Sequence, residues 1–160
     1  MRRKTLHVTP PKRVERPEDD RRPSIFLAGT IDMGLSQDWQ AIARRSLEGA
    51  ASVIYNPRRP DWDSSWEQRL DNMEFREQVN WEMDMIQASD LVFIHFEGDS
   101  KSPITLGELY WMLATRPEQV VVSCAPQFWR RGNVEVMCDR IGVPLHTDLY
   151  DALDHLHSRL

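Results

Sequence analysis

The amino-acid sequence predicts an α/β fold, a parallel sheet with helices on both faces. Three observations carry this. Short apolar runs rich in β-branched residues alternate with segments of helical period about five times along the chain. The runs are apolar throughout, as strands covered on both faces are, and do not alternate with polar residues. Finally, 160 residues, 41% hydrophobic and 28% charged, suit one globular domain that buries about 68–70% of its unfolded surface.

Residues 1–23 are rich in Arg, Pro, Glu and Asp and read as an extended or disordered arm, leaving 24–160 as the folded domain. Ser24–Ala28 is the first strand, and Gly29-Thr30 ends it with small residues that let backbone N–H groups approach a ligand. No GxGxxG follows, which disfavours a dinucleotide site of that type. Ser36 to Ala50 is a helix with Ser36 as its cap and Trp39, Ile42, Ala43 and Leu47 on its buried stripe. Ser52–Tyr55 is the second strand. The loop Asn56 to Trp66 is closed to regular structure by Pro57 and Pro60 and concentrates Arg58, Arg59, Asp61, Trp62, Asp63 and Trp66. A guanidinium grips carboxylate or phosphate, and an indole stacks on a sugar or base; a surface loop closed by its own salt bridges is the plainer alternative.

Trp66 to Gln87 reads as largely helical with a break near Asn72, on the spacing Phe75, Val79, Met83, Ile86. Asp90–Phe96 is the third strand, bounded by Gly98 and Asp99. Pro103 suits the first position of the next helix, with Ser102 before it as a cap, and Leu106, Leu109 and Leu113 facing the core. Glu118–Ser123 is the fourth strand. A loop through Phe128, Trp129 and Arg130 enters a helix ending near Ile141; the two aromatics wall a pocket or pack in the core. Val143–His146 is the fifth strand, and Thr147 or Asp148 caps the last helix. Right-handed crossovers give a flavodoxin-like three-layer sandwich with strand order 2-1-3-4-5 and a crevice between the carboxyl ends of strands 1 and 3.

That crevice gathers Gly29, Thr30 and Asp32, then Asn56, Arg58, Arg59, Trp62 and Trp66, then Asp99, Ser102 and Glu108, with Trp129 at its wall. Glu108 falls near the end of the second turn of its helix, and Glu82 lies one turn before Ile86, within reach of the same strand end. Alone, either glutamate reads as a solvated helix residue. Together they are a carboxylate pair of the kind that cleaves a glycosidic bond: one attacks or stabilises the anomeric carbon while the other, raised in pKa by burial, protonates the leaving group.

The net charge of -5 argues against non-specific DNA binding, although residues 1–23 carry +4 against -9 for the remainder. Cys124 and Cys138 show neither metal-ligand spacing nor a disulfide framework, which fits a reducing, cytoplasmic setting. His146, His155 and His157 form no metal pattern, so neither metal nor cofactor is expected. No apolar run approaches a membrane span.

Phe26-Leu-Ala-Gly29, Trp81-Glu82 eight residues before Asp90, and Ser102-Pro-Ile-Thr-Leu-Gly-Glu108 together resemble the nucleoside 2-deoxyribosyltransferases, in their "like" branch above all. Gly29-Thr-Ile-Asp-Met-Gly34, Asp38-Trp-Gln40, Asn56-Pro-Arg-Arg59, Asp61-Trp-Asp-Ser-Ser-Trp66, Phe75-Arg-Glu-Gln78 and Phe128-Trp-Arg130 extend the likeness over roughly residues 24 to 150. The resemblance implies a nucleoside or nucleotide substrate, a glutamate nucleophile at Glu108 that forms a glycosyl-enzyme ester, and a base-contacting carboxylate at Glu82. It also implies a homo-oligomer whose neighbouring subunits complete each pocket. Ser102 and Tyr110 stand where the transferases usually carry Asp and Gly, and the tyrosine that orients their nucleophile is replaced by Phe26 or absent. Arg58 and Arg59 bring in a rival, a 5'-monophosphate N-hydrolase, and a non-catalytic nucleotide-binding module is the alternative from another class.

Overall fold

The computed structural model describes residues 3–31 and 37–160. Its elements, in chain order, are β1 (Leu6–Val8), β2 (Ser24–Gly29), α1 (Trp39–Leu47), β3 (Val53–Tyr55), α2 (Met73–Ala88), β4 (Leu91–Phe96), α3 (Pro103–Thr115), β5 (Val120–Cys124), α4 (Arg131–Ile141), β6 (Leu145–His146) and α5 (Leu149–His157). The strands form one parallel sheet in the order β1-β3-β2-β4-β5-β6. Without β1 this is the flavodoxin-like order expected from the sequence.

The sheet has six strands and not five. The extra one is β1, from the N-terminal segment, paired Leu6↔Val53 along the outer edge of β3. Three residues, only one of them buried, leave too short a pattern for periodicity to find. The rest of that segment lies against the domain. The Trp81 indole N–H donates to Lys12 O (2.7 Å) and the Tyr55 hydroxyl to Val14 O (2.8 Å). Arg22 closes on the buried Asp20 at 2.6 Å and holds its carboxyl down to about 2.

Successive strand residues point to opposite faces, and the core divides accordingly. Phe26, Ala28, Val92, Ile94 and Phe96 pack beneath α2, α3 and α4 with Trp81, Leu109, Met112 and Val134. Ile25, Leu27, Ile54, Phe93 and Val121 pack beneath α1 and α5 with Trp39, Leu47, Leu153 and Leu156. Three layers result.

Helix starts follow their capping chemistry. Asp38 accepts from Ala41 N, Asn72 from Phe75 N, and Asp148 from Tyr150 N and Asp151 N. The Asn72 cap confirms a helix start at the expected break, but residues 66–71 before it are turns, not helix. Ser36, expected as the first cap, lies outside the described residues. No helix among the described residues is long and apolar enough to cross a membrane.

Candidate active site

The sheet order reverses at β2 and β4, so the crevice opens between their carboxyl ends. Gly29 ends β2 there. A Cβ on it would lie 2.3 Å from His95 O and 2.6 Å from the Trp39 ring, so only glycine lets β2, β4 and α1 meet so closely. Thr30 follows, fully buried. Its hydroxyl accepts from Glu97 N (3.0 Å) and bonds the hydroxyls of Ser100 (2.8 Å) and Ser102 (2.8 Å). The Trp39 and Gln40 side chains both donate to Thr30 O, at 3.0 and 3.1 Å.

Ser102 departs from its expected role. It precedes α3 with φ 42 and ψ 52, left-handed, and its hydroxyl makes no capping bond. This backbone turns the hydroxyl into the Thr30–Ser100 cluster instead. The cluster therefore ties the start of α3 to the end of β2, and Glu108 lies six residues along α3, about 9 Å of rise.

Glu108 and Glu82 bear on one another across α3 and α2. Burial pushes the Glu108 carboxyl up to about 8, and the Glu82 charge adds to the rise. Burial raises Glu82 also, but a hydrogen bond from Gln78 Nε2 to Glu82 Oε1 (2.8 Å) holds it back. Each carboxyl is therefore harder to ionise than an exposed one, and the rise at Glu108 includes the charge of Glu82. Two interacting carboxyls lose their protons in two steps, between which the pair holds one.

Gln78 links this pair to the loop after β3. Its Nε2 also donates to Pro57 O (3.3 Å), and its Oε1 accepts from Arg59 Nη1 (3.4 Å). Arg59 grips Asp61 with two bonds, 2.7 and 2.8 Å, and its guanidinium lies 5.4 Å from the Trp66 ring. Trp62 meets Trp66 edge to face at 5.0 Å. Arg58 takes another direction: its N–H donates to the buried Asn56 Oδ1 (3.1 Å), and Nη1 reaches Gln40 Oε1 (3.2 Å) and Asp38 (3.4 Å). The adjacent arginines therefore serve opposite sides of the mouth.

Asp99 is exposed on the turn before α3. Trp129 is half exposed and pinned at the rim, its indole N–H on Lys101 O (2.9 Å) and Arg130 over its ring at 4.5 Å; Phe128 beside it is core, against Phe96. Asp32 lies outside the described residues. Ser100 was not singled out from the sequence, since a buried hydroxyl leaves no pattern, and Gln40 entered only within the motif Asp38-Trp-Gln40. Gln78 stands one helical turn before Glu82, a spacing at which helix side chains meet.

Two open depressions, about 410 Å³ beside His7, Arg44, Arg45 and Glu48 and about 380 Å³ beside Arg13, Met73, Arg76 and Glu77, contain neither Glu82 nor Glu108. Both are shallow surface features, and the first is crossed by its own His7–Glu48 pair at 2.8 Å. The perturbed carboxylates are the stronger sign of chemistry.

A comparison with curated proteins finds no match. A comparison with protein families finds one: the family described as nucleoside 2-deoxyribosyltransferase like matches residues 22–128. The chain belongs to that family.

Proposed function

We propose, from that membership, that the chain cleaves or transfers at the N-glycosidic bond of a nucleoside through the pair Glu108 and Glu82. The observation that supports this most is the meeting of two partly buried carboxyls from separate helices, each pushed up by burial, with the charge of Glu82 adding to the rise at Glu108. Cleavage of a C1'–N bond needs one carboxylate and one carboxylic acid at the same moment. Glu108 is the nucleophile and Glu82 the acid. With one proton on the pair, positive charge growing at C1' favours the ionised form of Glu108 and leaves the proton on Glu82.

A Glu108 oxygen then bonds C1', and the C1'–N electron pair leaves with the base, which takes the Glu82 proton. The sugar ester splits one difficult step into two. In the second step, the N–H of an incoming base or the O–H of water gives its proton to Glu82 while the attacking atom bonds C1' and frees Glu108. Transfer follows from the base, hydrolysis from water. Gly29, Thr30, Asn56, Asp99 and Ser102 border the sugar side of this reading, and Trp62, Trp66 and Trp129 the base side.

The 5'-monophosphate alternative fits less well, because a phosphate would have to displace Asp61 from Arg59 or Asp38 and Gln40 from Arg58. A homo-oligomer and a cytoplasmic location belong to the same reading; light scattering tests the first. The decisive experiment is chromatography of a panel of nucleosides and their monophosphates, with and without an acceptor base. The wild type should release or exchange base, and Glu108→Ala should not. Undiminished activity in Glu108→Ala overturns the reading, and binding without base release from any compound favours a non-catalytic module.

A further inference from the structure

Gln78 is almost wholly buried on α2, and each end of its amide is committed. The amide offers two N–H donors and one acceptor oxygen. Both donors face acceptors, Glu82 Oε1 at 2.8 Å and Pro57 O at 3.3 Å. The oxygen faces Arg59, which can only donate, at 3.4 Å. A flipped amide would set oxygen against two oxygens and N–H against a guanidinium, so the partners themselves fix which end is which.

This has a consequence for Glu82. An oxygen that accepts from Gln78 cannot turn a proton of its own toward that amide, since the NH₂ group has nothing to accept it with. Oε1 is therefore held as an acceptor. Oε2 makes no hydrogen bond among the described residues. The charged groups that bear on Glu82 are Glu108 from α3 and, one amide removed, Arg59 of the loop.

We propose that Gln78 is a positioning residue: it pins Glu82 Oε1 as an acceptor, so that Oε2 is the oxygen that takes up the proton and delivers it to the departing base. The assignment of a departing base rests on the function proposed above; the pin itself rests on the contacts of Gln78. The same amide joins the Trp62–Trp66 loop to the acid through Pro57 and Arg59, so a ligand that seats on the loop also sets the aim of Oε2.

Two measurements on the full chain test this. In protein labelled with ¹³C at glutamate carboxyls, with the Glu82 resonance identified from its loss in Glu82→Gln, Gln78→Met should raise the Glu82 titration midpoint, because a bond to the charged form is gone. An unmoved midpoint overturns the pin. Should Gln78→Met fail to fold, Gln78→Glu keeps the shape and should raise the midpoint further by like charge, and an unmoved midpoint there has the same force. In the kinetic arm, Gln78→Met should lower kcat/KM on nucleosides, which reports formation of the sugar ester, by about tenfold or more. On a 4-nitrophenyl glycoside of the same sugar, whose leaving group needs no proton, kcat/KM should change by less than about twofold. An equal loss on both substrates means a merely structural role and overturns the assignment. A wild type inert toward every nucleoside sinks the proposed function instead, a result visible before any variant is compared, and the pin is then judged on the titration alone.

Discussion

Replacing Glu108 by Gln should make the protein more stable, and increasingly so as pH rises. An isolated carboxyl of this kind titrates at 4.5, whereas in the folded chain Glu108 is pushed up to about 8, by burial first and by Glu82 second. Between those values the folded state binds the proton that the unfolded state has lost, so stability falls as pH rises, by about 1.4 kcal/mol per unit where the difference is complete. The full interval corresponds to about 5 kcal/mol, present as stability below pH 4.5 and lost by about pH 9. The Glu108 side chain is only partly covered, and water admitted beside it reduces the measured loss to about 2–3 kcal/mol. The amide of the Glu108→Gln variant does not titrate. Urea unfolding followed by tryptophan fluorescence, with the buried Trp39 and Trp81 as reporters, should give nearly coincident curves for wild type and Glu108→Gln at pH 5. At pH 9 the variant midpoint should be higher at unchanged slope. Taking the difference cancels the titrating groups that do not interact with Glu108. A difference that does not grow with pH would refute the placement of Glu108 beside Glu82 in a site of low polarity.

The same pair sets the pH range of activity: base release should fall above about pH 8, where the second carboxyl ionises and no acid is left. Glu82→Gln should lower kcat by about 10²–10⁴-fold, the usual contribution of a positioned acid, and shift the remaining ionisation of Glu108 downward by removing a like charge. Gly29→Ala drives a methyl into His95 O at 2.3 Å, a backbone atom that cannot step aside, and should cost at least about 3 kcal/mol in urea unfolding or abolish soluble protein. Burial pushes the Cys124 and Cys138 thiols up to about 11, so alkylation by iodoacetamide at pH 8 should be slow in the native protein and fast in urea.

How much of this was legible in the sequence depends on how local each signal is. The apolar runs that became β2, β4 and β5 are buried along their whole length, so composition alone exposed them. The strand order followed from crossover handedness and the alternation of elements. β1 was missed because pairing with β3, and not its own sequence, makes it a strand. At the site, the two glutamates could be singled out from helical spacing, whereas the burial that raises both of them belongs to the folded chain and no spacing reveals it. The division of Arg58 and Arg59 between opposite sides of the mouth was equally hidden, since it depends on Gln40 and Gln78 from different helices.

Helix α3 breaks two local rules within two turns, while its neighbours keep theirs. Asp38, Asn72 and Asp148 cap their helices through side chains, but Ser102 sits left-handed at φ 42 and caps nothing. Six residues on, Glu108 stands in surroundings that oppose its charge. Local conflicts gathered at one place, at the carboxyl end of a parallel sheet, mark where a fold has been shaped by something besides stability. The strain at Ser102 can be measured apart from any activity. A non-glycine residue in this conformation costs about 1–2 kcal/mol. Ser102→Ala keeps that cost and removes the hydroxyl from Thr30 and Ser100, whereas Ser102→Gly removes both hydroxyl and strain. The glycine variant should therefore be the more stable of the two by about 1 kcal/mol in urea unfolding, the reverse of the order inside a helix. Should alanine prove equal or better, Ser102 is not held left-handed, and the hydroxyl cluster does not set where α3, and Glu108 with it, begins.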